Sequence, residues 1–225
     1  MSEKPHPFES RLFYPRNIEG RPNTKPLEAV RHIEEFLRTN YFTANKKLVG
    51  LAPYGSTMKG YNFSESDLDI IILYDAPRDT IDARREFTTL SRETSLELQR
   101  RGLPANVALQ AQNLNRDFTF PLNPDSEDYG WFVGAIANMS RLVTGSVIRS
   151  YREWYKNEFR KLPATLQNEI LEDALLTILE SETPESLRKF LERQGTRDPS
   201  EEQIETLAAK RKVLWERRLR NLWHF

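Results

Sequence analysis

The run Asp67-Leu68-Asp69-Ile70-Ile71-Ile72-Leu73, with Gly55-Ser56 ten residues before it, constrains this 225-residue chain more than any other stretch. Side chains alternate across a strand, so Asp67 and Asp69 share one face while Leu68 and Ile70 face a core. Two carboxylates side by side repel each other, and a divalent cation relieves that repulsion. Mg²⁺ suits hard oxygen ligands and is commonly held by one or two carboxylates together with substrate phosphates. A site for metal and phosphate is the leading expectation.

The length allows one compact domain with a helical annex, or two small domains, with a real core. Lys+Arg and Asp+Glu are balanced at 33 each, which leaves no single-sign field for coating nucleic acid. The absence of cysteine excludes disulfides, thiolate metal sites and cysteine nucleophiles together. His6, His32 and His224 are far apart in sequence, which argues against a histidine-based zinc site. The N-terminus lacks a signal-type apolar run and no stretch is apolar enough to span a bilayer, so a cytoplasmic protein without a membrane partner is expected.

Residues 1–25 carry Pro5, Pro7, Pro15 and Pro22 and are expected to form an irregular arm. Leu27, Val30, Ile33 and Leu37 recur at helical spacing up to Asn40. Lys47 to Leu51 then predicts a short strand leading into the Gly55-Ser56 turn, and Leu68 to Tyr74 a second strand. Asp79 is the expected N-cap of a helix whose Phe87, Leu90, Thr94 and Leu98 share a face, ended by Gly102 and Pro104. A third strand is expected over Asn106 to Gln112. Residues 26–122 thus form an α/β (α+β) core, a short mixed sheet with helices packed on one face. Residues 123–225 predict a helical region over Tyr129–Val143, Ser146–Arg160, Ala164–Glu180, Pro184–Arg193 and Ser200–Leu222, expected to form the other wall of a cleft.

The turn has a physical job in this setting. Glycine lets the backbone approach a phosphate closely, and N–H groups opening a short helix over Ser56 to Lys59 supply positive charge for an anion. The Ser56 hydroxyl adds a donor, and Lys59 is a further phosphate contact unless it is simply solvated. With Asp67 and Asp69 holding Mg²⁺ nearby, a nucleoside triphosphate is clamped from two sides and its α-phosphorus is open to in-line attack by a hydroxyl. Nucleotidyl transfer with pyrophosphate release is the reaction class that follows. Tyr61 and Phe63, in the spacer, either stack on a base or pack the loop.

Tyr54-Gly55-Ser56, the spacer through Ser66, and Asp67-Leu68-Asp69-Ile70 resemble the signature of the DNA polymerase beta-like nucleotidyltransferases. Gly55-Ser56-Thr57-Met58-Lys59-Gly60 and Ser64-Glu65-Ser66-Asp67 look especially like its minimal, mostly prokaryotic type. The resemblance covers roughly residues 26 to 115. It implies that Asp67 and Asp69 are metal ligands, in a site that can take two metals, and that Gly55 and Ser56 bind nucleotide phosphates. It implies also a third carboxylate on the next strand, as metal ligand or general base. Here the chain departs from the pattern, because one face of that strand shows Asn106, Ala108, Gln110 and Gln112. An amide cannot accept a proton, so three options stay open: a base from elsewhere, such as Asp117; deprotonation without a base; or a nucleotide binder with impaired catalysis.

The expected function is Mg²⁺-dependent transfer of a nucleoside monophosphate, AMP from ATP in the leading case, to a hydroxyl acceptor. A small-molecule acceptor calls for an acid-lined pocket, for which Glu153, Glu158, Glu169 and Asp173 are available; a protein acceptor calls for a stable complex. An RNA end is less favoured, because the basic cluster Lys210, Arg211, Lys212, Arg217, Arg218 and Arg220 also fits a solvated helix face. Arg141, Arg149 and Arg152 are further candidates to meet a nucleotide phosphate. The alternative to an enzyme is a catalytically weak nucleotide-binding regulatory module.

Overall fold

A computed structural model describes residues 25–53, 68–77, 83–103, 107–141, 148–180, 182–193 and 195–224. Helix α1 (Lys25–Asn40) precedes strand β1 (Lys47–Pro53), which pairs antiparallel with β2 (Leu68–Asp75). Helix α2 (Ala83–Arg100) then carries the chain to β3 (Val107–Asn113), parallel to β2. The sheet order is β1-β2-β3, with β2 in the middle. Five helices follow: α3 (Glu127–Arg141), α4 (Ile148–Lys161), α5 (Ala164–Leu179), α6 (Pro184–Arg193) and α7 (Glu201–Trp223). The mixed α/β class, the three-stranded mixed sheet and the helical C-terminal region are those expected from the sequence.

Leu48 and Leu51 lie in the same core, although residues three apart on a regular strand face opposite ways. A register shift between Leu48 and Gly50 makes this possible: one extra residue resets the alternation. Val49 and Ala52 turn to the other side of the sheet. The strand also runs two residues beyond the expected Leu51, and its Pro53 is tolerated because β1 is an edge.

Ala29, Val30, Ile33 and Leu37 of α1 and Leu90 and Leu98 of α2 cover one face of the sheet, against Leu48, Leu51, Leu68, Ile70 and Ile72. Helix α2 also closes the edge of β3. The hydroxyls of Ser95 and Ser91 accept from the backbone N–H groups of Val107 and Leu109, each at 3.0 Å. An edge strand left open would template pairing with another chain, and two serines on one helix face occupy two of the edge donors of β3. Helix α2 stops in a Schellman motif: Gly102 has φ +71°, its N–H donates to the Gln99 carbonyl, and Leu103 donates to Leu98. Asp79, the expected N-cap, lies outside the described residues.

The second face of the sheet is covered by α3, so the helical region starts directly on the strands. Tyr129, Phe132, Val133, Ala135, Ile136, Ala137 and Met139 are buried, which puts apolar contacts nearly all round α3. On one side it meets Val49, Ala52, Ile71 and Leu73; on the others, side chains of α4, α5 and α7. Helix α3 begins two residues before the expected Tyr129, with the Ser126 hydroxyl accepting from the Tyr129 N–H as an N-cap. Helix α7 opens on a capping box between Ser200 and Gln203, and its Trp223 donates to the Ser140 hydroxyl at 2.9 Å. Among the described residues no helix is long and apolar enough to cross a membrane.

Candidate functional site

Strand β2 separates its side chains by parity. Leu68, Ile70 and Ile72 enter the core under α1 and α2, which leaves Asp69, Ile71, Leu73 and Asp75 on the face toward α3. In the parallel register Asp69 is level with Ala108, Ile71 with Gln110 and Leu73 with Gln112. Exposure changes along this face. Asp69 and Ala108 are half-buried and Gln110 is exposed, whereas Ile71, Leu73 and Gln112 are buried. Asp69 therefore sits where the face is still open, next to the stretch that α3 closes. Its companions Gly55, Ser56, Lys59 and Asp67, together with Tyr61 and Phe63, lie outside the described residues.

The register shows which residue of β3 stands beside Asp69. Ala108 stands level with Asp69, and no residue of β3 as described carries a carboxylate. Asn106 lies outside the described residues. The structure also removes Asp117 as a general base for this site, correcting that option. Five register steps separate Asp69–Ala108 from Tyr74–Asn113, or about 17 Å of strand. Past that far end the Asn115 amide donates to the Ala76 carbonyl, and the Asp117 N–H donates to Asn115 Oδ1. Asp117 is thus tied to the opposite end of the sheet.

Under α3 the same face carries a buried polar chain. Gln112 accepts from Asn138 Nδ2 at 3.2 Å and donates to the Asn113 carbonyl at 3.1 Å. Asn138 Oδ1 accepts from Arg141 at 3.0 Å, and Arg141 donates to the carbonyls of Thr177 and Ile178 at 2.6 and 2.9 Å. Those carbonyls close α5, where the helix dipole is negative, which favours the buried guanidinium there. Gly134 makes room for the arrangement: a Cβ there would lie 2.6 Å from Gln112 Oε1. Of the three arginines considered for phosphate, Arg141 caps a helix and Arg152 donates to the Met139 carbonyl at 3.1 Å; Arg149 is the exposed one.

Comparisons with family models, with curated proteins and with solved structures find no match for this chain.

At the far end of β2, Asp75 accepts from the Tyr151 hydroxyl at 2.5 Å, and the Arg116 guanidinium lies 4.5 Å from the Tyr151 ring centroid. Burial, then the Asp75 carboxylate, pushes the Tyr151 hydroxyl well above the ordinary tyrosine range. Tyr129 is raised in the same way, by burial and then by Asp173, which accepts its hydroxyl at 2.6 Å. These tyrosines donate to carboxylates and stay protonated, which is a structural use. The sequence offered no sign of either pairing, because each partner lies on a different element.

Three of the four acids proposed to line an acceptor pocket are used locally, and Glu169 is exposed. Asp173 holds Tyr129, Glu158 pairs with Lys161 at 2.7 Å, and Glu153 with Lys156 at 4.0 Å. Among the described residues no three His, Asp or Glu side chains come together. The basic cluster of α7 is likewise divided around the helix. Arg211 faces Glu182 at 2.7 Å, Arg218 is buried over Trp215, and Arg220 meets Glu216 at 3.1 Å. Lys210, Lys212 and Arg217 remain on the exposed side.

Proposed function

We propose that this chain is a Mg²⁺-dependent nucleotidyltransferase that moves a nucleoside monophosphate, AMP from ATP, to a hydroxyl on a small molecule or a protein. The observation that supports this reading is the place of Asp69: second residue of β2, on the polar face, at the open end of that face. Asp67 precedes it by two residues, the spacing that shares a strand face, and Gly55-Ser56 precedes both by the spacing of a phosphate-binding turn.

The donor chemistry fits a hard cation, because a half-buried carboxylate offers oxygen ligands beside an open surface. Asp67 and Asp69 would hold Mg²⁺, whose contribution is to neutralise phosphate charge as pyrophosphate leaves. Gly55 and Ser56 would hold the β- and γ-phosphates, and Lys59 a further phosphate oxygen. The acceptor hydroxyl attacks the α-phosphorus, its O–P bond forming as the bond to pyrophosphate breaks. Its proton goes to water or to a group outside the described residues, since Ala108 stands where a third carboxylate would accept it. The pairing of Arg211 with Glu182 and of Arg220 with Glu216, and the burial of Arg218, weigh against an RNA acceptor.

Ala108 also supports a second reading, a regulatory module that binds nucleotide and turns it over weakly. Calorimetry with ATP and Mg²⁺, followed by a pyrophosphate-release assay, separates the two. An enzyme releases pyrophosphate, and Asp69→Asn lowers the rate by about 100-fold, a loss of about 2.7 kcal/mol of barrier reduction. Binding without release over long incubation favours the module. Equal turnover by parent and Asp69→Asn removes the enzymatic reading.

A further inference from the structure

Helices α5 and α7 lie side by side and antiparallel. Asn168, Leu171, Glu172 and Leu175 of one line a groove of about 240 Å³ with Glu216, Leu219 and Arg220 of the other, and Glu182 just past α5 meets Arg211 earlier on α7. Each helix also carries an outward stripe. On α5 the exposed positions Glu169, Glu172, Leu176 and Glu180 recur at helical spacing, and the helix contains no basic residue. On α7 the exposed positions Lys210, Val213, Arg217 and Arg220 do the same.

The two stripes are opposite in sign and alike in one respect: each has a large aliphatic side chain in its middle. Leu176 is 62% exposed and Val213 55%, and they are two of the four large hydrophobics exposed among the described residues. A single exposed leucine needs no explanation. Two of them, centred on adjacent stripes of opposite charge, make a surface that is complementary to itself. Turned through a two-fold axis, the acidic stripe of α5 meets the basic stripe of α7 on the other copy, and the same contact repeats in reverse.

We infer that the α5–α7 face is the contact through which a second copy of this chain binds, with Leu176 of each copy packed near Val213 of the other. Leu171, Leu175 and Leu219 floor the groove between the stripes and are themselves buried, so the apolar contact rests on Leu176 and Val213. Two helices side by side present a patch of about 24 by 20 Å, small for a stable dimer, so the pairing is reversible and concentration-dependent. The inference stands apart from the nucleotidyltransferase reading, since none of these residues belongs to that site.

Sedimentation of the full chain between about 1 and 200 μM is the test, a range that spans micromolar dissociation constants. The expected result is a shift from 26.4 kDa toward twice that mass as concentration rises, weakened by added salt. Reversing one stripe, with Glu172→Lys and Glu180→Lys or with Lys210→Glu and Arg217→Glu, weakens self-association by about tenfold or more. Mixing these two variants restores a dimer, because one then presents mostly basic side chains on both stripes and the other mostly acidic ones. Circular dichroism melts equal to the parent show that the reversed chains are folded. A parent that stays monomeric at every concentration, or a dimer indifferent to both reversals, overturns the inference, as does failure of the mixed variants to pair.

Discussion

On the face of the sheet under α1 and α2 the strands present Leu48, Leu51, Leu68, Ile70, Ile72, Val107 and Leu109; on the face under α3 they present Val49, Ala52, Ile71 and Leu73 alongside Asp69, Gln110, Gln112 and Asp75. The first face is held mainly by apolar burial, with hydrogen bonds between Ser91, Ser95 and Arg38 and the strand backbone at its margins. The second mixes apolar contact with polar groups, graded from an open end at Asp69 to a closed end at Gln112. A strand buried on both sides loses its alternation of apolar and polar residues, and the two aspartates of β2 are the remnant that marks its less apolar side. One face is scaffold, and the other is scaffold only over part of its length.

The sharpest way to break this contrast is to compare neighbours on β2 that point to opposite faces. Ile70→Ala removes a fully buried side chain and is expected to cost about 3 kcal/mol in denaturant unfolding, within the usual range for such cavities. Asp69→Asn, half-buried at the open end, is expected to change stability by less than about 1 kcal/mol while lowering turnover by about 100-fold. If Asp69→Asn unfolds the protein as readily as Ile70→Ala does, the polar face is structural and the site argument fails with it.

The scaffold face was largely legible in sequence because it rests on periodicity. Val30, Ile33 and Leu37 at helical spacing and Leu68 and Ile70 at strand spacing all reach the core they predict. What escaped depended on contacts between distant residues. The bulge at Val49 is invisible because Gly50 and Pro53 blur the strand pattern. Ser91 and Ser95 look like ordinary helix residues until β3 is laid beside them. Arg141 looks like a candidate for phosphate, yet it serves the end of α5, whose last carbonyls lie 36 and 37 residues further along the chain. Of the site itself, sequence spacing placed Asp69 on the polar face and the absence of an acid from β3; the register added that Ala108 is the residue level with Asp69.

The polar chain under α3 tests whether the closed end depends on fit. Gly134→Ala gains about 1 kcal/mol of helix propensity. It also forces a methyl group to 2.6 Å from Gln112 Oε1, displacing an amide whose bond to Asn138 is buried. Leaving such a group unsatisfied costs about 1–3 kcal/mol, so the net expectation is a loss of about 1 kcal/mol. Adding Gln112→Ala removes the clash, and a double-mutant cycle should then show coupling between the two positions.

At the far end of the same face, pH reports the Tyr151–Asp75 pair. A phenol whose folded-state pKa is raised above its unfolded value contributes stability that is complete below about pH 10 and is lost as pH rises beyond it. Stability is therefore expected to fall above pH 10, where an unfolded tyrosine ionises freely and the folded one does not. Tyr151→Phe loses a hydrogen bond worth about 1 kcal/mol at neutral pH and shows a shallower decline in alkali. A decline as steep in the variant as in the parent assigns the alkaline sensitivity elsewhere, with Tyr129 beside Asp173 the next residue to replace.

Among the described residues the scaffold face has one polar side chain buried without a partner, and its removal is expected to act in the opposite sense to the others. Thr94 lies between Leu90 and Leu98 on the buried face of α2, and its hydroxyl is buried with no hydrogen-bond partner. A hydroxyl taken out of water without a partner costs about 1–3 kcal/mol, and valine keeps nearly the same shape without it. Valine and threonine have similar helix propensities, so the helix itself is indifferent to the exchange. Thr94→Val should stabilise the chain by about 1 kcal/mol in urea unfolding, with the slope of the transition unchanged. A destabilised variant would mean that the hydroxyl is satisfied in solution, and the face under α1 and α2 would then share the polar character assigned here to the face under α3 alone.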